Sequence, residues 1–367
     1  MMFRILFAFV LLIHGMIHFL GFVKAFGFFP VDQLSQPISK PLGLIWLILG
    51  TLFLVGIFSL LTNKEWWMLL PVVAVLSQIL ISIYWQDAKY GTIINALILL
   101  VCIVAYGSWS FDRKVDNEIS ILMDPNGNSE KVITKESINH LPPIVQKWMD
   151  RSKTLDKPPI QLAYMRQTGR MRTTPDGRWM VFSARQFINA EKPGFVWQAH
   201  AKVLPLLHIS ARDKYINGRG NMLVKFLSLA NLADVNGNEI DQGALSRFLA
   251  EMIWYPSAAL NEAITWKAID QHTAEAIIKY KDGSASGIFS FTPQGDAISF
   301  DALRYYVNNN QSSLEKWHIE IDENSYQDFE DRRIPTKASV TWKLNSGDFT
   351  WYKLEVEEAI YDVSYDD

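Results

Sequence analysis

His14 and His18 are spaced i, i+4 inside an apolar run, so a helix there carries both imidazoles on one face. That is the arrangement a metal or haem site requires. The apolar runs that follow hold no histidine, no acid at mid-depth and no cysteine ligand set, so the pair lacks further ligands within this chain. The competing expectation is hydrogen bonding inside a helix bundle, to Gln78 or Asn95, because polar groups in a bilayer need partners whatever their role. A second group is His200 and His208 with Asp213, a set of residue types suited to proton transfer. Glu251 is the best single acidic candidate, and Arg247, one helical turn earlier, is its natural salt-bridge partner. Arg219 is the cation that would complete an acid–base site with Glu251 and one of the two histidines.

Other patterns carry less chemistry. Arg166, Arg170, Arg172 and Arg185 recur on neighbouring segments, as a patch for an anionic lipid headgroup or as a solvated face paired with acids. Asp234-Val-Asn-Gly-Asn-Glu239 has the opening of a calcium loop, but Leu245 falls where the final acidic ligand belongs. Gly218-Arg-Gly220 is too short for a nucleotide loop and suits a bulge or tight bend. There is no Gly-x-Ser-x-Gly, no phosphate-binding loop, no Gly-x-Gly-x-x-Gly, no His-Glu-x-x-His and no Cys-x-x-Cys.

The element that must position these residues is an amphipathic helix at 243–260. Leu245, Phe248, Leu249 and Met252 fall at i, i+3, i+4, i+7 and form one apolar stripe. Asp241 is placed to cap it, and Pro256 ends its first run. Around it the chain reads as about a dozen strands joined by hairpin-length loops, among them the turns Pro175-Asp-Gly177, Asn236-Gly237, Asp282-Gly283, Pro293-Gln-Gly295 and Asn345-Ser-Gly347. A meander of that length builds one antiparallel sheet, which must curl or close. A lone helix in its middle then covers the sheet or plugs its opening. Aromatic rings are dense, and they fill a core or line a cavity.

The first part of the chain has a different character. Four runs, at about 5–29, 42–61, 66–85 and 92–109, are each long enough to cross a bilayer. Trp66, Trp67, Tyr84, Trp85, Tyr106 and Trp109 lie at their ends, where aromatic rings favour the interface. Short connections imply an up-and-down bundle. The expected division is a four-helix transmembrane bundle at 1–110, a juxtamembrane linker at 111–134 and a β-rich soluble domain at 135–367. With a cytoplasmic N-terminus the inner side carries Arg4, Lys64, Arg113 and Lys114 and the outer side Lys24, Lys40 and Lys89, a slight bias towards a cytoplasmic β-domain. The net charge of −3 over 367 residues argues against nucleic acid as a partner. With Cys102 alone, no intrachain disulfide forms.

The succession Gly169-Arg-Met-Arg172, Tyr215-Ile-Asn-Gly-Arg-Gly220, Phe248-Leu-Ala-Glu-Met-Ile-Trp-Tyr-Pro256 and Arg333-Ile-Pro335 resembles an uncharacterised bacterial domain family over roughly 141–365. Its members have this domain with or without membrane helices, which implies a multi-pass protein of the bacterial inner membrane. The architecture is also similar to periplasmic lipoprotein carriers, which hold acyl chains in a half-open barrel under a helical lid. The fold class expected is thus an α-helical four-span bundle plus an α+β domain, its curled antiparallel half-barrel carrying an inserted lid helix. The function expected is membrane-tethered binding of a hydrophobic or lipid-like ligand, without a cofactor or metal and with the lipid bilayer as partner. Phe248, Met252, Trp254, Trp266, Arg170, Arg172, Arg219 and Glu251 are the residues expected to hold that ligand. A membrane-bound enzyme built on Glu251, or a sensory or structural role for the bundle, are the alternatives.

Overall fold

The computed structural model describes residues 2–62, 64–123, 131–204, 207–308 and 311–362. They divide into two compact units, Met1–Phe111 and Asp112–Asp367.

The first unit contains α1 (Met2–Phe26), α2 (Lys40–Leu61), α3 (Trp66–Ile83), the single turn α4 (Trp85–Ala88) and most of α5 (Gly91–Leu122). All but α4 are long and apolar enough to cross a membrane. Their inward faces bury Leu11, Leu49, Phe53, Leu70 and Val73, while Ile5, Leu6, Phe9, Ile48 and Ile79 lie open on the outside. An apolar coat of this extent is unfavourable in water and suits a hydrocarbon solvent.

The second unit opens with the last three turns of α5, followed by a short 3-10 turn at Glu136–Ile138 and α6 (Pro143–Arg151). Six strands follow, β1 (Leu162–Met171), β2 (Met180–Asn189), β3 (Gly194–Leu204), β4 (Leu207–Ile216), β5 (Arg219–Phe226) and β6 (Ala230–Asn236). Next comes α7 (Asn238–Glu251), with 3-10 turns at Met252–Trp254 and Pro256–Leu260. The remaining strands are β7 (Ile264–Ala268), β8 (Thr273–Tyr280), β9 (Gly283–Phe291), β10 (Ala297–Asn308), β11 (Gln311–Ile321), β12 (Tyr326–Phe329), β13 (Arg332–Pro335), β14 (Lys337–Leu344) and β15 (Gly347–Tyr361). β12 and β13 form a small hairpin of their own.

The other strands form one 13-stranded sheet in the order β6-β5-β4-β3-β2-β1-β15-β14-β11-β10-β9-β8-β7. Strand twist accumulates across so wide a sheet and bends it into a half-barrel. The curl is visible where the β4–β5 turn meets the β8–β9 turn, with Arg219 3.8 Å from Asp282 and the Tyr215 and Tyr280 rings 6.4 Å apart. α7 lies within the curl, packed chiefly on β9, β5 and β10. Its predicted stripe is buried, with Leu245, Phe248, Leu249 and Met252 all 0% exposed, and Ala244, Ser246 and Ala250 on its other sides are buried as well. Each side chain of the stripe contributes about 1.5–3 kcal/mol on removal from water, so packing rather than helix propensity holds α7 in place.

Two sequence expectations are corrected. The helix starts at Asn238, five residues early, after Gly237 at φ +114°, a conformation that favours glycine. Asp241 therefore lies inside the helix, where its carboxylate accepts from the Gly220 amide (2.6 Å) and from Arg219 (3.0 Å). The 111–134 segment is helical through Leu122, because Phe111, Val115, Ile119 and Leu122 form an apolar face that packs with exposures of 5% or less; the expected turn at 124–127 lies outside the described residues. Asp234–Glu239, which has the opening of a calcium loop in sequence, is divided between the end of β6 and the start of α7.

Candidate functional site

Alternation along the strands sorts side chains to the two faces of the sheet. On the inner face, beneath α7, lies a hydrogen-bonded polar cluster. Arg247 Nε donates to Glu251 Oε1 at 2.7 Å, Nη1 to Asp213 Oδ2 at 2.9 Å and Nη2 to Gln186 Oε1 at 3.3 Å. Gln186 Nε2 donates to Glu251 Oε2 at 2.6 Å, Gln167 Nε2 to Gln186 Oε1 at 3.1 Å, and Trp197 Nε1 to Gln167 Oε1 at 3.1 Å. The guanidinium also lies 4.7 Å from the Phe195 ring centroid and 5.2 Å from that of Trp197. Burial opposes the charge on Arg247, but Glu251 and Asp213 together outweigh it and hold the guanidinium charged above its ordinary range. Burial pushes the Glu251 carboxyl up, against the pull of Arg247 and the Gln186 amide. With each charge paired and both Glu251 oxygens engaged, the cluster clamps α7 to β1, β2, β3 and β4.

One inner-face cation stands apart. Arg304, on β10, makes no hydrogen bond or ion pair among the described residues, and lies 4.8 Å from the Trp317 ring centroid. Its Nε sits where a Cβ on Gly243 would come within 2.9 Å, so the absence of a side chain at Gly243 gives the guanidinium its place against α7. Burial lowers its pKa to about 10, with Asp213 pulling upward and Arg247 downward. Nearby polar groups are also unengaged: Trp317 Nε1 and Ser246 Oγ are buried without a hydrogen-bond partner, Trp317 being 3% and Ser246 0% exposed. Ser246 is one helical turn beyond Gly243.

Two residues further along β10, Tyr306 marks the start of an open rim. The hairpins joining Met171 to Met180, Leu204 to Leu207, Asn308 to Gln311 and Leu344 to Gly347 all fall at one end of the sheet. The inner face there carries Met171, Met180, Ile209, Tyr306 and Leu344, each partly exposed. The Tyr306 and Trp342 rings lie 5.0 Å apart behind them.

The outer face is charged and paired. The end of α5 lies across it, with Asp116 accepting from Arg185 (2.6 Å), Asp112 from Gln198 (2.7 Å), and Glu118 contacting Arg212 (2.8 Å) and Lys214 (2.9 Å). Arg166 pairs with Glu358 at 3.2 Å. His200, Ser210, Ser228 and His208 run as a chain of side-chain contacts at 3.1, 2.8 and 3.3 Å. Burial lowers the pKa of both histidines, while Asp112 pulls both upward. Two cavities open on the surface of this unit. One, of about 930 Å3, is lined by Arg170, Trp179, Lys337, Lys353 and Glu355. The other, of about 740 Å3, is lined by Lys114, Glu118, Arg212, Arg219 and Asp241.

The structure separates the residues expected to share a site. Phe248, Met252 and Trp254 are 0%, 0% and 3% exposed, and Trp254 Nε1 donates to Pro335 O. Trp266 packs beside Trp148 and Phe289, away from the rim. Arg170 lines the outer cavity, and Arg172 donates to Thr350 O while stacking on Trp179 at 4.7 Å. Arg219 is engaged by Asp241 at the far turn. Glu251 belongs to the clamp. Around Phe248, Met252 and Trp254, what α7 covers is therefore filled core, one of the two alternatives the sequence left open. The acid–base grouping also fails: His200 and His208 occupy the outer face, whereas Asp213 and Glu251 occupy the inner one. Arg304, Trp317 and the rim residues were missed; Arg304 at even spacing from Phe300, Ala302 and Tyr306 was the available signal of an inward-facing cation.

In the first unit, His14 Nε2 contacts Asn95 Oδ1 at 3.0 Å, His18 Nδ1 the His14 carbonyl at 2.8 Å and His18 Nε2 Ser77 Oγ at 3.0 Å. Asn95 Nδ2 donates to Ser77 Oγ and Gln78 Oε1. With those acceptors fixed, one neutral tautomer of each ring serves every contact, so hydrogen bonding accounts for the pair. Among the described residues no group of three or more His, Cys, Asp or Glu is disposed to hold a metal ion.

Comparison with known structures places the chain beside a putative outer membrane lipoprotein-sorting protein domain from Vibrio parahaemolyticus, at 8% identity and a TM-score of 0.34 over 60% of this chain and 92% of that one. A DUF1329 family protein from Desulfovibrio piger aligns at 10% identity and a TM-score of 0.35 over 64% of this chain and 95% of that one. No curated protein matches. Residues 131–354, which contain α7, the rim and all of the half-barrel but the end of β15, match the model of a family of unknown function, DUF6544, and the chain belongs to that family.

Proposed function

We propose that this is a membrane-anchored binding protein whose β-rich domain takes a hydrophobic or lipid-like ligand at the open end of the half-barrel. The observation that carries this reading is the rim: Met171, Met180, Ile209, Tyr306 and Leu344 leave apolar surface partly exposed on the concave face, where α7 does not cover it. Concave apolar surface with a few polar groups at its inner end is the usual form of a ligand site. The four apolar helices tether that surface to a bilayer, which supplies amphiphiles at high local concentration. Glu251 is assigned a structural part, since its oxygens are both engaged by Arg247 and Gln186.

The test is solvent extraction of the full-length protein after purification in a mild detergent, with mass spectrometry of the extract. An amphiphile near one per chain, reduced in a Tyr306→Glu, Leu344→Glu variant that melts like the parent, is the expected result. An extract indistinguishable from that of an unrelated four-span protein would overturn the proposal.

A further inference from the structure

We infer that the half-barrel selects an anionic amphiphile, its carboxylate or phosphate head held by Arg304 with Trp317 Nε1 and Ser246 Oγ. The inference rests on the binding role proposed above and adds the chemical class of the ligand.

A count of unpartnered donors carries it. Asp213 and Glu251, the inner-face carboxylates beside α7, are both engaged by Arg247. Glu315, directly opposite Arg304 on β11, accepts from Ser313 Oγ at 2.9 Å and makes no ion pair with the guanidinium. Arg304 is thus a partly buried cation with no oxygen partner among the described residues. Partly withdrawing a guanidinium from water without a hydrogen-bonded acceptor costs free energy, and the Trp317 ring face returns only part of that cost. Donors predominate around it: the five N–H bonds of the guanidinium and the unengaged indole N–H of Trp317 only donate, the unengaged Ser246 hydroxyl can also donate, and Gln242 Oε1 is an unengaged acceptor on the same helix. A guanidinium with no oxygen partner, beside an unengaged indole N–H, is complementary to an oxyanion. Placement supports the same ligand. Tyr306 follows Arg304 by two residues on the same face, so the head site lies about 7 Å inward of the apolar rim. A single ligand with an anionic head and an apolar tail satisfies both.

The test uses the full-length protein in phosphatidylcholine nanodiscs, with empty nanodiscs subtracted, and equilibrium dialysis against four probes: dodecanoate, dodecyl phosphate, dodecanol and inorganic phosphate. The parent should bind the two anionic amphiphiles on the order of tenfold more tightly than dodecanol, the ratio a charge-assisted hydrogen-bonded contact supplies. Arg304→Gln should bring that ratio towards one, and Trp317→Phe, which keeps the ring and removes the N–H, should lower it several-fold. If Arg304→Gln does not fold, the Trp317→Phe ratio decides. Equal binding of dodecanol and dodecanoate by the parent, or an unchanged ratio in either variant, overturns the inference while leaving the binding role intact. Inorganic phosphate binding as tightly as dodecyl phosphate also overturns it, because the site is then for a free anion. Failure of every probe to bind overturns the binding role itself.

Discussion

Arg247→Met isolates the clamp between α7 and the sheet. Methionine keeps an unbranched apolar stem beside Phe195 and Trp197 but deletes the guanidinium that engages Glu251 at 2.7 Å, Asp213 at 2.9 Å and Gln186 at 3.3 Å. Two carboxylates then share the inner face without their counter-charge, and removal of one partner from a buried pair costs about 3–5 kcal/mol. The loss should depend on pH in a particular direction. Burial already raises the Glu251 pKa against the pull of Arg247, and without that pull it rises further. A carboxyl whose folded pKa exceeds its unfolded value contributes stability that is present at low pH and lost as pH rises through the folded pKa. The variant should therefore recover part of its stability on acidification from about pH 8 towards pH 5. Adding Glu251→Gln, which removes the unpaired charge, should recover about 1–2 kcal/mol at neutral pH. Urea unfolding of the full-length protein in mild detergent, followed by near-ultraviolet circular dichroism, measures all three. A loss below about 1 kcal/mol with no pH dependence would refute the clamp.

Other expectations follow from single contacts. Leu227 and Ser228 sit at φ 52° and 59° in the β5–β6 turn, so Leu227→Asn, a residue tolerant of that region, should raise the unfolding midpoint by an amount equivalent to about 0.5–1 kcal/mol. Glu118→Ala strands Arg212, which is 1% exposed, and should cost about 3 kcal/mol in urea unfolding, whereas Asp116→Ala at a half-exposed pair should cost less than about 1 kcal/mol. Because His200 and His208 have folded pKa values below about 6.5, their contribution is present above that pH and lost as pH falls through the folded values; a His200→Asn, His208→Asn variant should lose less stability on acidification than the parent. In the bundle, Asn95→Leu removes the acceptor for His14 and the donor to Ser77, and should lower thermal stability in detergent by about 0.6–2 kcal/mol.

The parts of the fold legible in the sequence were those with a strong period. The apolar runs of the four membrane-length helices, the hairpin turns and the 245–248–249–252 stripe each specify an element locally, and the structure contains them. The end of α5 was hidden because Asp112, Arg113, Lys114, Asp116 and Glu118 read as a polar linker; their acids face cations on the sheet, and the helical period of Phe111, Val115, Ile119 and Leu122 was the neglected signal. The site was less legible for a different reason. Which face of a curled sheet a residue occupies follows from pairing register, and a bulge such as that between Arg166 and Gln167 shifts the alternation. Arginine at 170 and 172 therefore looked ligand-binding and Arg304 was passed over, although of the three it is Arg304 that packs against α7. Phe248 and Met252 looked like pocket lining because a periodic stripe reports burial without reporting what fills the space opposite.

Cross-linking with a photoactivatable fatty acid, mapped by peptide mass spectrometry on the full-length protein in nanodiscs, tests the central claim most directly. Within the β-rich domain, labels should concentrate at Met171, Met180, Tyr306 and Leu344 on the inner rim and should be displaced by unlabelled dodecanoate. Labels confined to the exposed outer-face residues Val181, Leu303 and Leu314, or indifferent to competitor, would contradict a ligand site in the half-barrel.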